Sequence, residues 1–371
     1  MNKKISIRLF AVLMLFSSVW ISCKRDKDKD STADLSAGFD KKAMLTHMAD
    51  QIIMPNLQIL GGSVAALEQR LDSFLQNPTQ ANLTQVQSQW NIAFLDFQHC
   101  NAFNFGPGEK NIVGTMAENL AIWPVNYSRL EERINAGNVN FNDFERDTRG
   151  FQALDYLLFE PNALSRFQNT DGESRKAYTR AVMTHIHQWV IDMNQAWPSY
   201  RETFINNDGK DAGASVAILY NEFLKSYESI KNFKIGIPAG LRAGQTQVEP
   251  LKVESYYSQY SIQHIRENFM AVENIWRGRS RSGIDGPGFD DWLETLEEGK
   301  ALKAQTESNF QLMRQANEGF QNSESLALLV QNDLPRVQSW YTEYQKFTRF
   351  IKSDLSSLIG IAITFSSGDG D

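Results

Sequence analysis

From Lys41 to Leu75 apolar residues recur every three or four positions, at Met44, Met48, Ile52, Leu57, Leu60, Val64, Leu67 and Leu71. That spacing lines one face of a helix. Pro55 interrupts the run and, lacking an N–H, is expected to kink or break it. The same period returns at Leu83, Val86, Trp90, Phe94 and Phe97 and predicts a helix from Asn82 to Cys100. Further helices are expected over 127–134, 144–159, 175–205, 212–232, 257–275, 289–315 and 326–350. Strand-like alternation is nearly absent, apart from a short β-prone Ile361-Ala362-Ile363-Thr364-Phe365.

These segments predict an all-α protein built from two helical bundles. The strongest internal punctuation begins at Lys234-Ile235-Gly236-Ile237-Pro238-Ala239-Gly240, which opens about 20 residues rich in Gly, Pro and Gln. It sets an expected boundary between an N-terminal bundle, residues 38–235, and a C-terminal bundle, residues 236–371.

The N-terminus follows another pattern. Lys3, Lys4 and Arg8 precede an apolar run from Leu9 to Ile21 that closes on Ser22-Cys23. The run is shorter than the ~20 residues a membrane span needs and suits the apolar core of an export signal. A small residue before a cysteine at that point resembles a bacterial lipobox. Residues 1–22 are therefore expected to leave, and Cys23 to carry a lipid. The alternating charges of residues 24–30 begin a tether over residues 23–37. The expected location is the cell envelope, lipid-anchored at the outer membrane, on either its periplasmic or its surface face.

Composition narrows the function classes. Hydrophobic residues at 42% and charged residues at 22% describe a packed globular chain. A net charge of −7, from 37 Lys+Arg against 44 Asp+Glu, argues against a nucleic-acid partner. If Cys23 is lipidated, Cys100 remains alone and reads as a small buried hydrophobe. Common hydrolase, nucleotide and EF-hand signatures are missing from the sequence. His185 and His187 lie about 200° apart on a helix and cannot chelate one ion together.

Two features carry candidate chemistry. In Arg149-Gly150-Phe151-Gln152-Ala153-Leu154-Asp155-Tyr156-Leu157-Leu158-Phe159, Phe151, Leu154 and Leu158 form a core stripe. Gln152 and Asp155, three residues apart, project together from a neighbouring face. They could meet a ligand, or bond to each other or to another helix. Arg277, Arg279 and Arg281 cluster in a loop, where they could hold an anion such as a phosphate or a haem propionate, or could simply be solvated.

Several of these pieces occur in an order that resembles the imelysin-like proteins of bacterial envelopes, of the type found in Bacteroidetes. The pieces are Trp90, Phe105-Gly106-Pro107, Trp123-Pro124, the Gly150–Leu158 stretch, Lys234–Gly240, Glu254-Ser255-Tyr256-Tyr257-Ser258 and Asp369-Gly370-Asp371. The resemblance implies two all-α bundles with a cleft between them and a role in iron or haem acquisition. It implies a metal ion or haem as ligand, iron- or haem-uptake components as partners, and a peptidase label. Gly150, Gln152, Asp155, Trp123, Glu254, Ser255 and Ser258 become its ligand-binding candidates. The family motif GxHxxE reads here Gly150-x-Gln152-x-x-Asp155. Gln152 replaces an imidazole and Asp155 is one methylene shorter than Glu, which disfavours a zinc site and leaves Asp155 as the one metal-ligand candidate. The expectation is a binding module. An envelope metallopeptidase and a ligand-free scaffold are the alternatives.

Overall fold

In the computed structural model, residues 38–170 and 172–365 are described. The export signal, Cys23, the tether over residues 23–37 and Asp369-Gly370-Asp371 lie outside the described residues. The first apolar run forms α1 (Lys41–His47), a π-helical segment (Met48–Ile53) and α2 (Met54–Gln76). The Asp40 side chain caps α1 by accepting from Ala43 N at 2.8 Å. Pro55 does not break the run. It stands in the first turn of α2, just after the π segment. A helix adjusts in this way where a proline supplies no N–H to the preceding turn.

Helix α3 (Gln80–Gln98) is capped by Thr79, and α4 (Met116–Leu120) opens on a Thr115/Glu118 capping box. Helices α5 (Tyr127–Asn135), α6 (Gly150–Phe159), α7 (Ala163–Gln168), α8 (Gly172–Asn206) and α9 (Ser215–Glu228) follow, and α9 runs into a π-helical segment, Ser229–Gly236. Next come α10 (Ser261–Arg277), α11 (Phe289–Glu294), α12 (Gly299–Glu318), α13 (Leu326–Asn332), α14 (Leu334–Arg349) and α15 (Leu355–Ile359). The strands among the described residues are β1 (Glu109–Lys110) and β2 (Gly114–Thr115), an antiparallel pair. The chain is all-α.

Helix α2 packs against α3 and α8, α3 against α6 and α10, and α12 against α14. Trp90, Trp197, Trp276, Trp292 and Trp340 are fully buried within the core that these contacts enclose. The described residues form one compact unit. The boundary expected after Ile235 falls at the end of the Ser229–Gly236 segment, where Ile235 and Gly236 are both buried. The Gly-, Pro- and Gln-rich residues that follow, 241–249, are turns and loop, half-buried to exposed.

Four helix expectations differ from the structure. Residues 144–149 are not α-helical, because the chain enters α6 through Gly150 at φ 81°. Tyr257 and Tyr260 precede α10, in a segment that bonds to α6. The spans 289–315 and 326–350 each divide in two, between α11 and α12 and at Asp333 before Pro335. Ile361–Phe365 forms no strand, and Thr364 N instead donates to Asn221 Oδ1 at 2.8 Å.

Candidate functional site

Helix α6 is held at its start by backbone geometry. At φ 81°, Gly150 occupies a region that residues with a Cβ rarely adopt, and a Cβ there would lie 2.5 Å from the Leu120 carbonyl oxygen. Beside it the buried Arg149 guanidinium donates to Phe141 O at 2.8 Å and to Asn119 Oδ1 at 3.0 Å, tying α6 to α4. The Trp90 indole donates to Phe151 O at 3.0 Å, bringing α3 onto the same turn. Phe151, Leu154 and Leu158 fill the core as their spacing predicted.

Gln152 and Asp155 leave this helix together and meet the segment before α10. Gln152 Oε1 accepts from Ser255 N at 2.7 Å, and its Nε2 donates to Ser255 Oγ at 3.2 Å. Asp155 Oδ2 accepts from Tyr257 N and its Oδ1 from Ser258 N, both at 3.0 Å. Burial pushes the Asp155 carboxyl up to about 6, against the downward pull of the Ser258 hydroxyl and the two amides. Ser255 sits at φ 57°. Its left-handed backbone is thus held by both ends of one amide side chain.

From Ser255 the chain of bonds continues inward. Ser255 Oγ lies 2.9 Å from His264 Nδ1, and His264 Nε2 lies 3.0 Å from Asn91 Oδ1. An amide oxygen can only accept, so Nε2 carries the proton and the Ser255 hydroxyl donates to Nδ1. Burial, with the charge of Lys234, holds His264 well below the usual imidazole range, consistent with this neutral form. The rings of Trp90 and Phe94 stand edge-to-face against it. Serine and histidine are both fully buried, so this pair offers no nucleophile to a substrate.

Glu254 and Trp123 belong to an adjoining cluster. Lys234 Nζ lies 3.0 Å from Glu254 Oε2 and donates to Gln98 Oε1 at 2.6 Å, with the Trp123 ring 5.9 Å away. Burial drives the lysine down and the glutamate up, and their mutual attraction opposes both shifts. Gly150, Gln152, Asp155, Ser255 and Ser258 thus come together, while Trp123 and Glu254 surround Lys234. Sequence reasoning missed His264, Asn91, Lys234 and Gln98 as partners: Asn91 lies 173 residues from His264 and Gln98 136 from Lys234, while His264, nine residues after Ser255, reaches it only through the turn before α10.

A metal implied by the family does not fit here. Both Asp155 oxygens and both ends of the Gln152 amide are bonded to the chain, and both His264 nitrogens are taken. Among the described residues, no three His, Cys, Asp or Glu side chains group so as to hold one ion. Cys100 is buried, as expected, and burial pushes its thiol up. His187 pairs with Glu68 at 2.7 Å, and burial lowers His185 to about 4, so the two serve different neighbourhoods.

Comparison with known proteins gives this arrangement its context. A family model described as Imelysin, under a peptidase label, matches residues 53–338. The chain belongs to the imelysin family. Iron-regulated protein A of Synechococcus elongatus is 25% identical over 280 residues, which are 72% of each chain. A Parabacteroides distasonis structure described as an iron-regulated protein A precursor superposes with a TM-score of 0.71 at 15% identity, covering 86% of this chain and 95% of that one. An imelysin-like protein from Psychrobacter arcticum gives 0.69 at 17% identity, covering 88% and 97%. At such identities the two structures establish the shared fold. In this imelysin-family chain the motif side chains clasp the Glu254–Ser258 segment.

Proposed function

We propose that this protein is an envelope lipoprotein that acts as a binding module in iron or haem uptake and does not cleave peptides. One observation carries the reading against the peptidase: every polar side-chain atom of Gln152 and Asp155 is bonded to Ser255, Tyr257 or Ser258. A hydrolytic metal would have to strip these bonds from a buried segment, with no imidazole offered in return. The relative named iron-regulated protein A supports the link to iron. Among the described residues no helix is long and apolar enough to cross a membrane. Attachment is assigned to a lipid on Cys23.

Calorimetric titration with Zn²⁺ and spectroscopic titration with haem, on the purified full-length chain, test the reading. It expects no stoichiometric zinc site and a saturable change in the haem spectrum. Tight zinc binding abolished by Gln152→Ala would return the peptidase to first place, and failure to bind haem or ferric ion would leave the scaffold. For the anchor, Cys23→Ala should move the protein from membrane pellets to the soluble fraction, and a variant still found in the pellet would refute lipid attachment at this residue.

A further inference from the structure

The arginines at 277, 279 and 281 lie at a turn in which Arg279 and residues 281–285 are exposed. They join Arg314 of α12 around a cavity of about 510 Å³ that also takes in His99 and Glu273. That volume lies within the ~300–1,000 Å³ range of small-molecule sites. The loop is pinned in place. Gly278, at φ 60°, ends α10 and turns the chain, and a Cβ there would lie 2.3 Å from Gly286 O. Gly278 O accepts from Gly286 N at 3.1 Å and from His47 Nε2 at 2.6 Å, and Ser280 N donates to Ile284 O at 2.8 Å.

Among the lining residues the charge is uneven. They hold four guanidinium groups and one carboxylate, Glu273, which accepts from Arg277 Nε at 2.8 Å and from both Nε (3.1 Å) and Nη2 of Arg314. Outside the lining, Glu307 pairs with Arg277 at 2.5 Å and Asp96 with Arg281 at 2.6 Å. Asp285 Oδ1 lies 3.7 Å from Arg279, beyond hydrogen-bond reach. The His99 side chain is 1% exposed. Its Nε2 lies 2.7 Å from Glu267, and its buried Nδ1 has no partner. With Nε2 facing the Glu267 carboxylate, Nδ1 is an acceptor that a ligand hydroxyl or N–H could fill, and the converging guanidinium forks beside it suit oxyanions.

We propose that this cavity binds a small molecule bearing two or more oxyanion groups, carboxylates or phosphates, held by Arg279, Arg281 and Arg314. It shares no residue with the Gln152–Ser255 contact, so its failure would leave the proposed function standing. Isothermal titration of the full-length chain with citrate and with pyrophosphate, at about 150 mM salt where loose surface attraction is screened, decides it. At least one should bind with 1:1 stoichiometry, and the preferred one assigns the class. Arg279→Gln with Arg314→Gln should weaken that binding at least tenfold, and Arg279→Gln alone, at an exposed position, should weaken it without altering the fold. Lys346→Gln, on α14, should change nothing. Absence of saturable binding by both anions, or equal binding by the double variant and the unmodified chain, would overturn the proposal.

Discussion

The Gln152–Ser258 contact and the Arg277–Arg314 cavity both gather polar side chains, yet they differ in what completes them. In the first, each side-chain polar atom of Gln152 and Asp155 finds a partner in the chain, and the group is buried. In the second, carboxylates occupy part of the Arg277, Arg281 and Arg314 forks, Arg279 has none within hydrogen-bond distance, and a histidine nitrogen is unpaired. A buried polar group satisfied from within fixes structure, whereas one left unsatisfied beside a cavity asks for a ligand. On the proposed reading, the residues that attract notice as a motif are the structural ones.

If the first region is structural, damage to it should appear in stability. Gly150→Ala is expected to have the largest effect. It places a Cβ in left-handed backbone and against the Leu120 carbonyl, a combination that should cost about 4 kcal/mol by urea denaturation. Asp155→Ala comes next. It leaves the half-buried Tyr257 and Ser258 amides without their acceptor and should cost about 2 kcal/mol. A loss under 1 kcal/mol in both variants would erase the distinction between the regions.

The pH dependence of stability sharpens the same point. Asp155 binds its proton up to about pH 6 when folded and only to about 4 when unfolded, so between those values the folded state holds more protons. Its contribution therefore falls as pH rises from about 4 to 6. Asp290, pushed by burial up to about 6, acts the same way. His264 and His185, both held low by burial, act oppositely, since the unfolded chain protonates them first. Asp155→Asn should remove one falling component and make stability climb more steeply with pH across this window than in the unmodified chain. Denaturation midpoints at half-unit steps from pH 4 to 6.5 would read it. An unchanged slope would mean that Asp155 titrates like a solvated carboxylate and lies outside the buried contact.

The helices were legible because burial in a bundle writes a three-to-four residue period, and α3, α5 and α8 fall within a few residues of their expected spans. Interruptions were harder. Nothing local marks that Gly150 must adopt φ 81° to clear Leu120, or that Tyr257 and Ser258 offer their amides to Asp155 instead of starting α10. The projection of Gln152 and Asp155 from one face was readable from their spacing. Their partners were not, since Ser255 lies 103 residues from Gln152 and the pairing exists only once α6 meets the segment before α10. Arg314 is likewise absent from the Arg277–Arg281 run and reaches it through α12.

The smallest expected effect separates the regions most cleanly. Arg279 is 51% exposed and Asp285 72%, at 3.7 Å, and such a solvent-screened pair contributes about 0–1 kcal/mol. Arg279→Gln should accordingly shift the unfolding free energy by no more than about 0.5 kcal/mol, the ordinary scatter of surface substitutions. A stability loss of the size expected for Asp155→Ala would show that the arginine is part of the scaffold, and the cavity would then be a second internal clasp. Near-neutral stability, alongside the large losses in the first region, would mean that the fold does not depend on this guanidinium, leaving it available to a ligand.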